Sequence, residues 1–354
     1  MPVRGEPGAA LTAGVADSIR KEHLAGEAVG PKFLPSERDL ARTLGVSRTT
    51  VRHALGLLES EGLVRAEHGR GYRRLPRSTA LGAGSRIAIL RPVGAGGISE
   101  TLTRSLEREA LARGAQLLSL GPAELSTASL ADSLLEARVW GVVLTLDDPG
   151  LQRAVAEAGL PCVAVDCASR EPDIDYVMQD NFGGAMQAAE HLIGRGRRRI
   201  AWFGPVRQTP QSLERFAGAG CAFTKHGLEL SRDMVVSPEG DLETAARELL
   251  SRADRPDGVL AMWMGHAVAV CRAARELGLA PGRDLDLVGW ANEEVYREEL
   301  RRELGPEAPP MVVWSTDEMA RIAIARLEWK LRDRTIRPLR ITLPTRLALG
   351  GVGG

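Results

Sequence analysis

The sequence predicts a mixed α/β chain in two parts: a small N-terminal head of helices with a β-hairpin, and a larger body of doubly wound α/β character. Three observations predict it. Residues 36–75 hold capping residues, an apolar stripe at helical spacing and two short strands around glycines. Residues 73–85 lack apolar periodicity and read as a linker. From Ile87 onward, short apolar strands alternate with amphipathic helices, the pattern of parallel sheets covered on both faces. With 354 residues and 44% hydrophobic content, the chain is long enough to bury two cores, one of about 75 residues and one of about 270.

In the head, Leu34-Pro35-Ser36-Glu37-Arg38-Asp39-Leu40-Ala41 gives a capped short helix, and Leu44-Gly45-Val46-Ser47 a tight turn. Ser47 caps the next helix by accepting a bond from a first-turn amide, and Val51, Leu55 and Leu58 at i, i+4 and i+7 face inward. Arg48, Thr49 and Arg52 then face out. A helix N-terminus attracts phosphate through its free amides, and guanidinium groups fork onto phosphate or guanine edges. The bland alternative is a solvated charged face; the spacing of the whole run favours docking. Gly56, inside this helix, costs about 1 kcal/mol against alanine.

Beyond Gly62, Leu63–Glu67 and Tyr72–Leu75 read as two strands around the turn His68-Gly69-Arg70-Gly71. The glycines permit close backbone approach to a groove, and His68 and Arg70 supply donors at the tip. Alone, such a hairpin is an ordinary surface turn; here it follows the two helices.

The formal net charge is zero but uneven. Residues 1–80 hold 13 Lys and Arg against 9 Asp and Glu, and the remainder 33 against 37. A basic head on an acidic body confines affinity for nucleic acid to the head. No run of 18 apolar residues and no charged-then-apolar leader is present, so neither membrane span nor secretion signal is expected, and a cytoplasmic location is. Cys162, Cys167, Cys221 and Cys271 lack CxxC spacing and read as buried free thiols. The six histidines, His23, His53, His68, His191, His226 and His266, have no ligand spacing, so no metal is expected.

In the body the expected elements are strand Ile87–Leu90, a helix from about Ser99 to Arg113, strand Gln116–Leu120, a helix near Leu130–Ala137 and strand Val142–Leu146. Strands Cys162–Val165, Ile200–Phe203, Gly258–Met262 and Leu285–Trp290 continue the rhythm. Ligands of such sheets sit beyond the carboxyl ends of the strands. Gly94-Ala95-Gly96-Gly97 after the first strand is too short a signal for a nucleotide turn.

The run from Leu34 to Gly71, with Pro35-Ser36-Glu37-Arg38-Asp39-Leu40-Ala41, Val46-Ser47-Arg48-Thr49-Thr50-Val51-Arg52 and Leu57-Leu58-Glu59-Ser60-Glu61-Gly62-Leu63-Val64, resembles the winged helix-turn-helix of the GntR family of regulators. The resemblance implies DNA contacts from Arg38, Ser47, Arg48, Thr49, Thr50, Arg52, His68, Gly69 and Arg70. One departure lies in the wing, where the family continues Gly-Thr-Phe-Val and this chain has Gly71-Tyr72-Arg73-Arg74.

Residues 86–348 resemble the effector domain of LacI-type repressors, itself similar to periplasmic sugar-binding proteins: two α/β lobes closing on a small molecule. Carrying segments include Gly159-Leu160-Pro161-Cys162-Val163-Ala164-Val165-Asp166, Asp180-Asn181-Phe182-Gly183-Gly184-Ala185, Glu214-Arg215-Phe216-Ala217-Gly218 and Asp286-Leu287-Val288-Gly289-Trp290. A GntR head (1–75), a linker (76–85) and a LacI-like body (86–348) resemble the arabinose-repressor architecture. The resemblance implies effector contacts from Asp180, Arg215 and Asn292. Structural alternatives stand beside them: Asp180 as a helix cap and Arg215 in a surface ion pair. At Ala261-Met262-Trp263-Met264, the family has a small residue followed by Asn or Ser and Asp. Trp263 either stacks on a sugar ring or base or plugs a cleft that binds nothing. The LacI-type hinge helix is absent, replaced by the linker around Pro76.

These resemblances imply a homodimeric repressor on a pseudo-palindromic duplex operator, controlled by a small molecule, a carbohydrate first and a nucleoside or other metabolite as the alternative. No cofactor is expected. An enzyme fused to a DNA-binding head is the competing class, but only Lys225 and Lys330 follow residue 80, neither in a cofactor-like context, and no Ser/His/Asp arrangement stands out.

Overall fold

The computed structural model describes residues 7–24, 33–60, 63–67, 69–74, 85–91, 98–120, 130, 133–134, 137, 139–169, 171, 174–300, 304–305, 308–333 and 335–349. The head comprises α1 (Pro7–His23), α2 (Glu37–Leu44), α3 (Arg48–Ser60) and the antiparallel pair β1 (Val64–Glu67) and β2 (Gly71–Arg74). The Ser36 hydroxyl accepts from the Asp39 amide (3.2 Å), and Gly45 ends α2 with φ 65°, a left-handed cap that suits glycine. Leu40, Val51, Ala54, Leu55 and Leu58 are buried together with Val15, Ala16 and Ile19 of α1, so the stripe expected in α3 is the centre of the head core. The sequence reading did not anticipate α1, although Val15, Ala16 and Ile19 follow helical spacing. Phe33 adds a bridge to Arg73, so the hairpin gains a short third partner.

The body holds two six-stranded sheets. The first has the order β13-β7-β6-β5-β3-β4, from β3 (Arg86–Leu90), β4 (Gln116–Leu120), β5 (Val139–Leu144), β6 (Cys162–Val165), β7 (Asp175–Gln179) and β13 (Arg340–Leu343), all parallel. Flanking it are α4 (Ile98–Ala112), α5 (Pro149–Glu157) and α11 (Thr316–Arg332). The second has the order β14-β12-β11-β10-β8-β9, from β8 (Ile200–Phe203), β9 (Val235–Val236), β10 (Gly258–Ala261), β11 (Asp286–Asn292), β12 (Met311–Trp314) and β14 (Arg346–Ala348). Only β14 runs antiparallel there. Its helices are α6 (Asn181–Gly194), α7 (Pro210–Lys225), α8 (Leu242–Leu250), α9 (Met264–Glu276) and the short α10 (Glu293–Val295). Strands β6, β8, β10 and β12 are buried along their whole length, as parallel strands covered on both faces must be.

The chain passes between the lobes after β7, after β12 and after β13. These crossings place the carboxyl ends of both sheets against one another. The Asp180 amide donates to the Leu343 carbonyl at 2.8 Å, and the Thr345 hydroxyl to the Asp180 carbonyl at 3.4 Å, which ties two of the crossings together.

Several expectations are corrected. Strand β5 starts at Val139, three residues before the expected Val142, and ends at Leu144. Strands β7, β9, β12, β13 and β14 were not anticipated. Of the thiols, Cys162 and Cys167 are buried, but Cys221 is exposed and Cys271 half-buried, because both lie on helices rather than central strands. Half of the expected helix at 130–137, the whole loop at 94–97 and most of the linker 76–85 lie outside the described residues.

Helices α6 and α7 meet closely at Gly218, where an added Cβ would stand 2.2 Å from the Phe182 carbonyl oxygen. Backbone cannot retreat as a side chain can. Gly218→Ala is therefore expected to destabilise the body by about 1–3 kcal/mol despite its better helix propensity. A lower denaturation midpoint checks this; an unchanged or higher midpoint would contradict it.

Candidate DNA-docking face and interlobe site

Sequence places the cationic residues of α3 at its start, and the cap fixes how they are presented. The Ser47 hydroxyl accepts from the Thr50 amide at 3.1 Å and lies 2.8 Å from the Thr50 hydroxyl. Arg38, Ser47, Arg48, Thr49 and Arg52 are exposed and Thr50 is half-buried. Arg48 and Arg52 both approach the Glu37 carboxylate at the start of α2, so the first turns of α2 and α3 form one face. In the wing, Gly69 (φ 75°) and Gly71 (φ 94°) occupy left-handed backbone around exposed Arg70. His68 lies outside the described residues. Arg73 is buried and paired with Glu67 at 3.0 Å, so this departure from the family wing holds the hairpin together rather than facing a groove.

The second constellation lies where the two lobes meet. Arg215 on α7 is fully buried, so it is not a surface ion pair. Its Nε donates to Asn181 Oδ1 (2.8 Å) and its Nη1 to the Met262 carbonyl (2.8 Å). The guanidinium carbon stands 3.8 Å from the Trp290 ring centre, 4.8 Å from Trp263 and 5.7 Å from Trp314. Three indoles thus cage one cation. Burial pulls the Arg215 pKa down to about 9, against the opposing charges of Asp166 and Glu214; at neutral pH it stays cationic.

From the first lobe, Asp166 and Gln179 face this group. Asp166 follows β6 in left-handed backbone, φ 53°, a conformation that aspartate tolerates better than most residues and that collects at functional sites. Burial pushes its carboxyl pKa up, while Gln179, Arg215 and Gln211 pull it down. Gln211 on α7 donates to the Asp166 carbonyl at 2.6 Å, a direct bond between lobes.

Several buried polar atoms here have no hydrogen-bond partner of normal geometry: Arg215 Nη2, Asn292 Nδ2, Trp314 Nε1 and both amide atoms of Gln179. Leaving such groups unmade costs about 1–3 kcal/mol each, so a cluster of them marks a place meant to meet something polar.

The expected effector residues are distributed as follows. Arg215 is central. Asn292 ends β11 beside Trp314 in register, and its Oδ1 accepts from the Val295 amide at 2.7 Å, which leaves only its Nδ2 available. Trp263 precedes α9 and lies against Arg215, so its ring is already engaged on the cation. Asp180 caps α6 by accepting from the Gly183 amide at 2.8 Å, its structural alternative, and sits at the hinge. Asp166, Gln179, Asn181, Gln211 and Trp314 were missed. The rule that ligands lie beyond strand carboxyl ends would have found Asp166, Gln179 and Trp314, which end or follow β6, β7 and β12.

A separate cavity of about 620 Å³ opens at the opposite end of the second sheet, lined by apolar residues such as Val270, Leu279 and Pro309 with Arg195 and Arg275 at its rim. It lies away from Arg215 and shares none of its chemistry. Among the described residues no group of His, Cys, Asp and Glu is arranged to hold a metal, and no helix is long and apolar enough to cross a membrane.

Comparison with known proteins finds matches to both parts of the chain. Residues 11–73 match the model of bacterial regulatory proteins of the gntR family, and residues 189–351 that of a periplasmic binding protein-like domain. The HTH-type transcriptional regulator CelR of Thermobifida fusca is 30% identical over 241 residues, 65% of this chain and 68% of CelR. The ribose operon repressor of Escherichia coli K12 is 26% identical over 328 residues, 86% of this chain and 96% of that protein. Among solved structures, a CelR–cellobiose complex superposes with a TM-score of 0.65 at 23% identity, covering 90% of this chain and all of that one (100%), which shows a shared fold. The chain therefore belongs to the family of LacI-type, DNA-binding transcriptional regulators that includes CelR, with a GntR-type head in place at its N-terminus.

Proposed function

We propose that this chain is a cytoplasmic repressor and no enzyme: it binds a pseudo-palindromic operator as a homodimer and releases it when a carbohydrate enters between the lobes. Residues 1–75 form the head, 76–85 the link and 86–348 the effector and dimerisation body. DNA contacts come from Arg38, Ser47, Arg48, Thr49, Thr50, Arg52, His68, Gly69 and Arg70. Effector contacts come from Arg215, Asn292 and Trp263, with Asp180 holding the hinge. Two-fold protein symmetry matches two half-sites, and a ligand that prefers one closure state shifts the equilibrium that the heads report.

One observation carries the effector reading: the buried, unpartnered polar atoms of Arg215, Asn292 and Trp314 on one lobe, faced by Asp166 and Gln179 of the other and bordered by indole rings. Donors, an acceptor and a carboxyl at Asp166 beside flat apolar faces suit a ring that carries hydroxyls on its edge and C–H groups on its face.

Thermal denaturation of the intact protein with ribose, cellobiose, arabinose or purine nucleosides tests this. A sugar at 100 times its Kd stabilises by about 2.7 kcal/mol and should release an operator fragment. A shift with nucleosides alone would replace the carbohydrate reading, and no shift with any of them would remove it.

A further inference from the structure

Glu37 is the first residue of α2, directly after its cap Ser36, on the face proposed above to meet DNA. A carboxylate there suits the helix N-terminus but repels the phosphate backbone of a docked duplex. Its neighbours account for it. Arg52 Nε donates to Glu37 Oε1 at 3.2 Å and Arg52 Nη2 to Glu37 Oε2 at 2.8 Å, a two-point fork across the turn between α2 and α3. Arg48 Nη2 stands 3.9 Å from the same Oε2. The Glu37 side chain is 20% exposed and that of Arg52 59%, so the carboxylate is the inner member of the pair and the guanidinium the outer.

A guanidinium has two edges that fork. One is formed by Nε and Nη2, the other by Nη1 and the second hydrogen of Nη2. Glu37 occupies the first edge and leaves the second free. That second edge still presents two parallel N–H groups that match O6 and N7 of guanine in the major groove. A planar side chain fixed along one edge cannot turn its other edge toward any base at will. The same carboxylate also disfavours wrong placements by repelling phosphate when Arg52 is not seated, so it trades affinity for discrimination. The Glu37 carboxyl is held below the usual carboxylate range by its bond from Arg52, so the fork persists through the neutral range.

We propose that Glu37 is a positioning residue for sequence readout: it clamps the inner edge of Arg52 so that the outer edge reads one guanine in each operator half-site. The proposal rests on the reading of α3 as the helix that enters DNA, but not on any effector.

Selection of the full-length protein against a pool of randomised DNA duplexes, followed by sequencing, tests it whatever the operator sequence is. The wild type is expected to enrich a guanine at one position per half-site, and Arg52→Ala to erase the preference at that position. Glu37→Gln and Glu37→Ala are expected to cut the same preference at least tenfold while binding unselected duplex at low salt as well as or better than the wild type. A wild-type sequence profile for Glu37→Gln would overturn the proposal, as would a uniform loss of binding to all sequences in both variants. A guanine preference that survives Arg52→Ala would overturn it while leaving DNA binding intact. Failure of the wild type to select any sequence would overturn it together with the docking model on which it rests.

Discussion

Replacing Asp175 by alanine is expected to destabilise the body by about 3–5 kcal/mol, the usual cost of stranding buried charges, and to lower its melting temperature by on the order of 10 °C. Asp175 opens β7 and is fully buried. Arg326 Nη2 lies 3.0 Å from its Oδ1 and Lys330 Nζ 3.0 Å from its Oδ2, both from α11, and the Leu339 amide donates to it as well. Arg326 and Lys330 are themselves buried. Without the carboxylate, two largely buried cations lose their counter-charge, and the segment between α11 and β13 loses its anchor. Simultaneous replacement of all three by apolar residues of similar volume should restore much of the loss, because a buried ionic cluster is costly mainly when it is left incomplete. Calorimetric melting of the single and triple variants checks both. A loss under about 1 kcal/mol for Asp175→Ala, below the 3–5 kcal/mol of a broken buried pair, would show that the triad is solvated.

Arg215→Met is expected to abolish the response to effector while leaving operator binding in the absence of effector within a few-fold of wild type. Methionine keeps apolar volume between Trp263, Trp290 and Trp314 but removes the charge and every donor. Truncating a buried, hydrogen-bonded charge costs about 2–5 kcal/mol of binding, so effector affinity should fall at least about 30-fold by that range. Some stability is lost too, since Asn181 Oδ1 and the Met262 carbonyl lose their donor; these are neutral acceptors, costing about 1–3 kcal/mol each when left unmade. Isothermal titration with the sugar identified by thermal shift measures the affinity, and operator titration measures the head. An effector affinity within threefold of wild type would contradict a central role for this side chain. So would loss of operator binding by a variant whose head still melts normally.

The head was largely legible because its signals are local. Ser47 and its amide partner are three residues apart, the stripe Val51, Leu55, Leu58 repeats at the helical period, and the glycines of the turn sit between two short runs. The bond between Glu37 and Arg52 was not read, although it joins neighbouring helices, because pairing across a turn depends on how the helices cross. In the body, β3, β4, β6, β8 and β10 announced themselves as short apolar runs. Strands β7 and β13 did not: Asp175-Tyr-Val-Met-Gln179 opens on a buried charge, and Arg340–Leu343 alternates burial on an edge next to a partner far away in sequence. The interlobe site was half legible. Arg215 and Asn292 were singled out through their motifs and lie at the interlobe constellation, but the indole cage draws on β11, β12 and the start of α9 at once, and no single segment encodes it. The left-handed turn at Asp166 carries only a weak signal in residue type, since glycine is the usual sign of that backbone and aspartate only tolerates it.

Docking of the exposed arginines of α3 on duplex DNA underlies every functional step proposed for this chain. The most direct test is a titration of the wild type and Arg48→Ala with the selected duplex across a salt series, followed by fluorescence anisotropy. The wild type should show log affinity falling linearly with log salt, and Arg48→Ala should bind about tenfold or more weakly with a slope shallower by about one unit. Equal affinity and equal slope for the two proteins would contradict it.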